Sequence, residues 1–203
     1  ERYPLAFELG AVHIEPDFQP GHQERRVNLE KFLDRYQLPF ASLKMSLGDD
    51  SVNCFWCSWN RRKMLFRYAY NHGYNKVALG HQFDDVVETA LLNLFFHAVL
   101  ETMEPKVVFF DGKITLIRPL VFIEEKEIIP FARTLSFPLA QCQCPYAETS
   151  RRAAVQKLLR GLGKNASMVK RNIWKATRKW LEAYPQRPHR PESSRQIDLP
   201  PIK

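Results

Sequence analysis

No run of about eighteen apolar residues occurs anywhere in this 203-residue chain, so no membrane-spanning helix is written in it. A basic n-region followed by an apolar h-region, the mark of a secretory signal, is also missing. Cysteine is scarce. Four in the whole chain are too few for a disulfide scaffold, and they suit a reducing cytoplasm. No internal repeat is visible. Surplus positive charge is absent from the first three quarters: residues 1–150 carry 16 Lys and Arg against 19 Asp and Glu, whereas residues 151–203 carry 14 against 3. A near-neutral body with a basic C-terminal part reads as nucleic-acid binding through phosphates; a merely solvated basic helix is the bland alternative. The 45% apolar content is enough for a core, so the chain holds one domain or one domain with a helical appendage.

The pattern along the chain alternates between strand and helix. Leu5–Ile14 predicts a strand, broken by Pro16, Pro20 and Gly21, and Arg25–Tyr36 predicts a helix with Val27, Leu29, Phe32, Leu33 and Tyr36 on one face. Phe40–Leu47 reads as a short strand, and a polar loop at Gly48–Asn53 delivers Cys54 and Cys57. Arg61–His72 predicts a helix stopped at Gly73, the C′ position. Lys76–Leu79 is a short buried strand that turns through Gly80 and His81 into a helix from about Asp84 to Leu100, a unit whose ligands sit at strand carboxyl ends. Val107–Phe110 and Ile114–Arg118 predict a hairpin around Asp111-Gly112. Glu124–Leu135, Ala153–Leu162 and Ala166–Tyr184 predict helices, the last with Met168, Val169, Ile173, Trp174, Thr177, Trp180 and Leu181 as its core stripe. From Pro185 onward, five prolines in nineteen residues predict an extended or disordered tail.

The chemistry-bearing residues are few. Cys54 and Cys57 in CFWCSWNRR, with Cys142 and Cys144 in CQCP, gather thiolates from two distant segments. A four-cysteine zinc site, an iron–sulfur cluster with one iron lacking a protein ligand, and a dithiol redox centre all fit that pattern. Asp84, Asp85 and Glu88 share a face at the start of a helix. There they either cap it and answer its positive end, or hold Mg²⁺ against nucleotide phosphates. His81 is either a satisfied loop histidine or a nucleotide contact. Arg61 and Arg62 follow the first cysteine pair, and Arg151 and Arg152 follow the second. Beside thiolates such arginines lower thiol pKa values and supply phosphate donors. Lys170, Arg171, Lys175, Arg178 and Lys179 line the polar faces of the last helix as RNA-phosphate contacts.

These residues converge on a family. CFWCSWNRRKMLFRYA, ALGHQFDDVVETALLNLFF, IRPL at Ile117–Leu120 followed by EEKEI, and CPYAETSRR occur in the order found in the tRNA 2-thiocytidine biosynthesis family (TtcA) of PP-loop ATP pyrophosphatases, which the chain resembles from about Leu9 to Arg152. CPYAETSRR is also similar to archaeal and thermophile tRNA thiolases. The resemblance implies an α/β parallel-sheet sandwich of the adenine nucleotide alpha hydrolase-like kind with a basic C-terminal helical region. Residues 1–140 would form the PP-loop domain, residues 141–184 a basic helical RNA-binding region, and residues 185–203 a Pro-rich tail. It also implies a [4Fe-4S] cluster on three cysteines, namely Cys54, Cys57 and Cys144, with Cys142 as the alternative because this chain has C-x-C where TtcA has C-x-x-C. Gly80, His81, Asp84, Asp85, Glu88 and Thr89 match the family's second nucleotide-site motif.

By the same resemblance the protein is a cytoplasmic tRNA sulfurtransferase. ATP adenylates the C2 oxygen of an anticodon-loop cytidine, Mg²⁺ near Asp84 and Asp85 offsets phosphate charge, and cluster-borne sulfur from a cysteine desulfurase or sulfide replaces AMP. A homodimer is implied as well. The family's phosphate loop, SGGxDS, has no counterpart here and is expected upstream of Leu9, so the chain reads as a piece without its first βα unit rather than as an inactive relative. Two other functions compete: a PP-loop enzyme thiolating a different substrate, and a zinc-stapled, non-catalytic RNA-binding module.

Overall fold

The structure, a computed structural model, describes residues 6–16, 21–46, 54–138 and 150–183, with the backbone alone for Cys54 and Phe55. These residues fall into two units, one from residues 1–65 and 131–145, the other from residues 66–130 and 146–203. Among them no helix is long and apolar enough to cross a membrane.

The first unit is built on a strand–helix–strand motif. β1 (Ala11–Pro16) and β2 (Phe40–Met45) pair in parallel, Ala11 opposite Phe40 through Pro16 opposite Met45, and α1 (His22–Asp34) makes the crossover. The first strand begins later than its apolar run predicts, because pairing starts where a partner exists: the Ala11 N–H donates to the Pro39 oxygen at 2.8 Å. Phe7 and Leu9, ahead of that point, are exposed. Ile14, Phe32, Leu33, Met45 and Trp59 are buried, and Phe137 meets the Phe32 ring edge-on at 4.9 Å. Glu15 is buried beside them. Burial alone would raise its carboxyl, but contacts from His22 Nδ1 at 2.6 Å and Ser42 Oγ at 3.1 Å outweigh that and hold it below its ordinary value.

α2 (Cys54–Asn71) starts seven residues earlier than Arg61, so Cys54 and Cys57 belong to its first turn rather than to a preceding loop. Nothing in CFWCSWN breaks a helix, since it contains neither glycine nor proline. The helix ends as expected, with Gly73 in the left-handed region at φ 74° and the Tyr74 N–H returning to the Ala69 oxygen at 2.9 Å.

In the second unit β3 (Lys76–Ala78) pairs in parallel with β5 (Ile114–Ile117), and β4 (Lys106–Phe109) runs antiparallel on the other side of β5. The expected hairpin forms, but its connection is the four residues Phe110–Lys113, closed by the Lys113 N–H on the Phe110 oxygen at 3.1 Å. β5 is the centre of this sheet, with Ile114 and Leu116 fully buried. Leu116→Ala should therefore cost about 3 kcal/mol of unfolding free energy, read as a lowered urea midpoint at unchanged slope.

α3 (Phe83–His97) follows β3 and stops three residues before Leu100, where Ala98 takes a left-handed conformation. Its stripe Phe83, Val87 and Leu91 packs on Val155 and Leu159 of α5 (Arg151–Gly161), with Leu162, Ile173 and Trp174 around them. Ile173 and Trp174 come from α6 (Ala166–Ala183). The basic helices thus share a core with α3, because their apolar faces need the α3 stripe to leave water. Met168, expected in the α6 stripe, is 57% exposed, whereas Thr177 is fully buried. α4 (Glu125–Thr134) continues from residues of this unit.

Candidate functional site

Cys54 and Cys57 stand three apart in the first turn of α2. That turn carries no acidic residue, so the positive helix end is left to favour thiolates. Cys57 is half-buried. One turn on, Arg61 keeps its Nε buried with no hydrogen-bond partner among the described residues, and its charge reaches His13, whose pKa is lowered chiefly by burial. Arg62 also lies on α2. Cys142 and Cys144 lie outside the described residues. The donor chemistry present fits a cluster: two cysteines in one turn, at a positive helix end, followed by an arginine whose Nε is buried without a hydrogen-bond partner among the described residues.

The α3 carboxylates are engaged by the chain itself. Asp85 closes a capping box with Gln82, accepting the Gln82 N–H at 3.0 Å, and its other oxygen meets Arg152 Nη1 at 2.8 Å. Glu88 accepts from the same Nη1 at 3.3 Å and from Gln156 Nε2 at 3.2 Å. Burial raises its pKa, with Arg152 and Gln156 opposing. Asp84 is ion-paired with Lys170 and accepts the Glu125 N–H at 2.7 Å. Glu124 repeats the theme, holding Lys126 at 3.0 Å, Ser167 Oγ at 2.8 Å and Arg171 at 3.2 Å. Burial pushes its carboxyl up, yet these partners keep it below its ordinary value.

Among the described residues no group of three His, Cys, Asp or Glu side chains is placed to hold a metal ion. Arg152, Lys170 and Arg171, three of the cations expected at RNA phosphates, meet Asp85 and Glu88, Asp84, and Glu124 respectively. Lys175, Arg178 and Lys179 are exposed, with Arg178 near Glu182 at 3.5 Å, and exposed Arg151 lies over the Phe96 ring at 4.7 Å. Thr89 Oγ1 is buried and has no hydrogen-bond partner among the described residues. Gly80 has open space where a Cβ would stand.

Arg118, Glu124 and Glu15 are buried charged residues that no motif in the sequence marks for a role. Arg118 is 3% exposed, and its Nε donates to His81 Nδ1 at 3.3 Å. A charged residue closing the apolar strand ITLI was the available signal.

The comparisons with known proteins bear on this geometry. No protein-family model matches the chain. It is 38% identical over 182 residues to the tRNA-cytidine(32) 2-sulfurtransferase of Geobacter sulfurreducens, a match covering 86% of this chain and 71% of that protein. The enzyme of the same name from Geotalea uraniireducens is 34% identical over 183 residues, covering 87% and 73%. The one from Geobacter metallireducens is 45% identical over 128 residues, covering 62% and 50%. Among solved structures, the U34-tRNA thiolase NcsA from Methanococcus maripaludis, with its [4Fe-4S] cluster, matches with a TM-score of 0.71 at 21% identity. That match takes in 86% of this chain and spans 62% of the thiolase, and it shows that the two share a fold. With 38% identity across 71% of one relative and 34% across 73% of another, the chain belongs to the tRNA-cytidine(32) 2-sulfurtransferase family.

Proposed function

We propose that the protein is an ATP-dependent tRNA sulfurtransferase that converts an anticodon-loop cytidine to 2-thiocytidine. The observation carrying this reading is the Cys54/Cys57 pair in the first turn of α2, in a chain 38% identical over 182 residues to a tRNA-cytidine(32) 2-sulfurtransferase. Cys54, Cys57 and Cys144 are the proposed holders of a [4Fe-4S] cluster, with Cys142 as the alternative third ligand. When bound, such a cluster would supply the sulfur-delivering chemistry, with sulfide coming from a cysteine desulfurase or from solution. Arg61 answers the negative charge of three thiolates from one turn away.

In the reaction the C2 oxygen of cytidine attacks the α-phosphorus of ATP and expels pyrophosphate. Sulfide then adds at C2, the C2–O bond breaks, and AMP leaves with the oxygen, with no net oxidation. Gly80 and His81, at the carboxyl end of β3, are the proposed nucleotide contacts, joined by the buried Thr89 hydroxyl. The α3 carboxylates are not assigned to Mg²⁺, since their oxygens already meet Lys170, Arg152, Gln156 and backbone amides. They hold α5 and α6 on the nucleotide-binding unit instead. Mg²⁺ enters as the counter-ion of ATP phosphates.

Two rivals carry less. The zinc-stapled module lacks support from relatives that are named transferases. Thiolation of another substrate remains open to direct test. Anaerobically reconstituted protein, given ATP, sulfide and tRNA, should yield 2-thiocytidine by mass spectrometry of the digested RNA; a different thionucleoside, or zinc without iron, would reject the assignment. Exposed Lys175 and Lys179 are the proposed phosphate contacts of α6. Replacing each with alanine should lower the salt dependence of tRNA binding by about one unit of logarithmic slope. Unchanged slopes would remove α6 from the RNA interface.

A further inference from the structure

We propose that Arg118 is a positioning residue for His81, holding the imidazole in the tautomer whose proton sits on Nε2. β3 and β5 are parallel neighbours, so His81, beyond the end of β3, and Arg118, directly after β5, leave the sheet at the same carboxyl edge. The Leu79 N–H, donating to the Ile117 oxygen at 3.0 Å, carries the pairing up to these two residues. Arg118 Nε lies 3.3 Å from His81 Nδ1. A guanidinium nitrogen has a hydrogen to give and no lone pair, so Nδ1 must accept, and the imidazole proton is left on Nε2.

The arginine is itself fixed. Its Nη1 donates to the Glu104 carbonyl oxygen, its backbone N–H donates to the Pro105 oxygen at 2.9 Å, and its own carbonyl accepts the Val121 N–H at 3.2 Å. It is also 3% exposed, so the guanidinium group has little room to choose another geometry. A lysine would not reproduce the contact, because an ammonium on a flexible stem lacks the planar fork that bonds Glu104 and His81 together. The consequence falls on His81: with the proton on Nε2 the ring offers a donor to phosphate or ribose oxygens, whereas the opposite tautomer would turn a lone pair towards them. This consequence rests on the proposed nucleotide site at the strand ends; the tautomer assignment does not.

The test is long-range ¹H–¹⁵N correlation on protein labelled at histidine nitrogens, with the His81 signals assigned by their loss in His81→Gln. The wild-type protein without nucleotide should give the Nε2–H pattern at His81, and Arg118→Met should give a mixed or Nδ1–H pattern. Arg118→Gln, which retains a side-chain N–H donor, should recover part of the wild-type pattern. An Nδ1–H or doubly protonated ring in the wild type, or an unchanged pure Nε2–H pattern in Arg118→Met, would overturn the proposal. If Arg118→Met fails to fold, the wild-type spectrum alone decides. Adding ATP should shift the His81 Nε2–H signal, and His81→Gln and Arg118→Met should each raise the KM for ATP about tenfold, with little further rise in the double variant. A correct tautomer with no response to ATP would support the positioning role and remove the nucleotide from this edge.

Discussion

Cys57→Ser, prepared anaerobically with iron and sulfide, is expected to lose the cluster and to lower tRNA thiolation at least about 100-fold while leaving the fold intact. Position 57 is in the first turn of α2, where a serine hydroxyl is well tolerated and even favoured near a helix start, so the substitution removes a soft ligand without removing the turn. The thermal midpoint and far-ultraviolet circular dichroism should therefore match the wild type without metal. Iron and acid-labile sulfide content is the decisive measurement. Cys54→Ser should behave alike, Cys144→Ser should abolish the cluster, and Cys142→Ser should spare it. Loss with Cys142→Ser and retention with Cys144→Ser would exchange the third ligand. A Cys57→Ser protein that keeps full iron would remove α2 from the site altogether. Because Arg61 lies one turn beyond Cys57 with its Nε buried and without a hydrogen-bond partner among the described residues, Arg61→Gln should weaken cluster retention less than loss of a ligand does.

The legible part of the fold was local. Gly21 announced the start of α1, Gly73 the end of α2, and Asp111-Gly112 the hairpin, because glycine frees the backbone where it stands, whereas Pro16, expected to break the first strand, is its last paired residue. The capping box of Asp85 with Gln82 was legible for the same reason, its partners lying three residues apart. The start of α2 was missed because a polar stretch before Cys54 was extended into a segment that contains no breaker. The partners of the carboxylates were not legible at all. Arg152 reaches Asp85 across 67 positions and Lys170 reaches Asp84 across 86, and no local pattern says which cation returns to which carboxylate. Charge segregation suggested RNA as the partner of seven basic residues after Ser150, from Arg151 to Lys179; packing of α5 and α6 on α3 brings three of them, Arg152, Lys170 and Arg171, to carboxylates of this unit.

Lys170→Ala should be the most destabilising charge substitution in the second unit, at about 3 kcal/mol, because it strands a carboxylate that is 12% exposed. Asp84 would keep the Glu125 N–H as its one remaining described partner, too little for an ionised group at that depth. Asp84→Asn in the same background should recover more than half of the loss, since the stranded charge goes with it. Arg171→Ala offers the contrast. Arg171 is 65% exposed and its partner Glu124 retains Lys126 and Ser167, so the cost should stay below about 1 kcal/mol. Urea unfolding of the four proteins, repeated with and without magnesium chloride, also judges the role given to Asp84. A carboxylate built to hold a lysine gains nothing from the ion in the wild type, where Lys170 would have to be displaced first. Marked stabilisation of the wild-type protein by magnesium alone, together with a small cost for Lys170→Ala, would return Asp84 to the metal and remove Lys170 as the tie between α6 and α3.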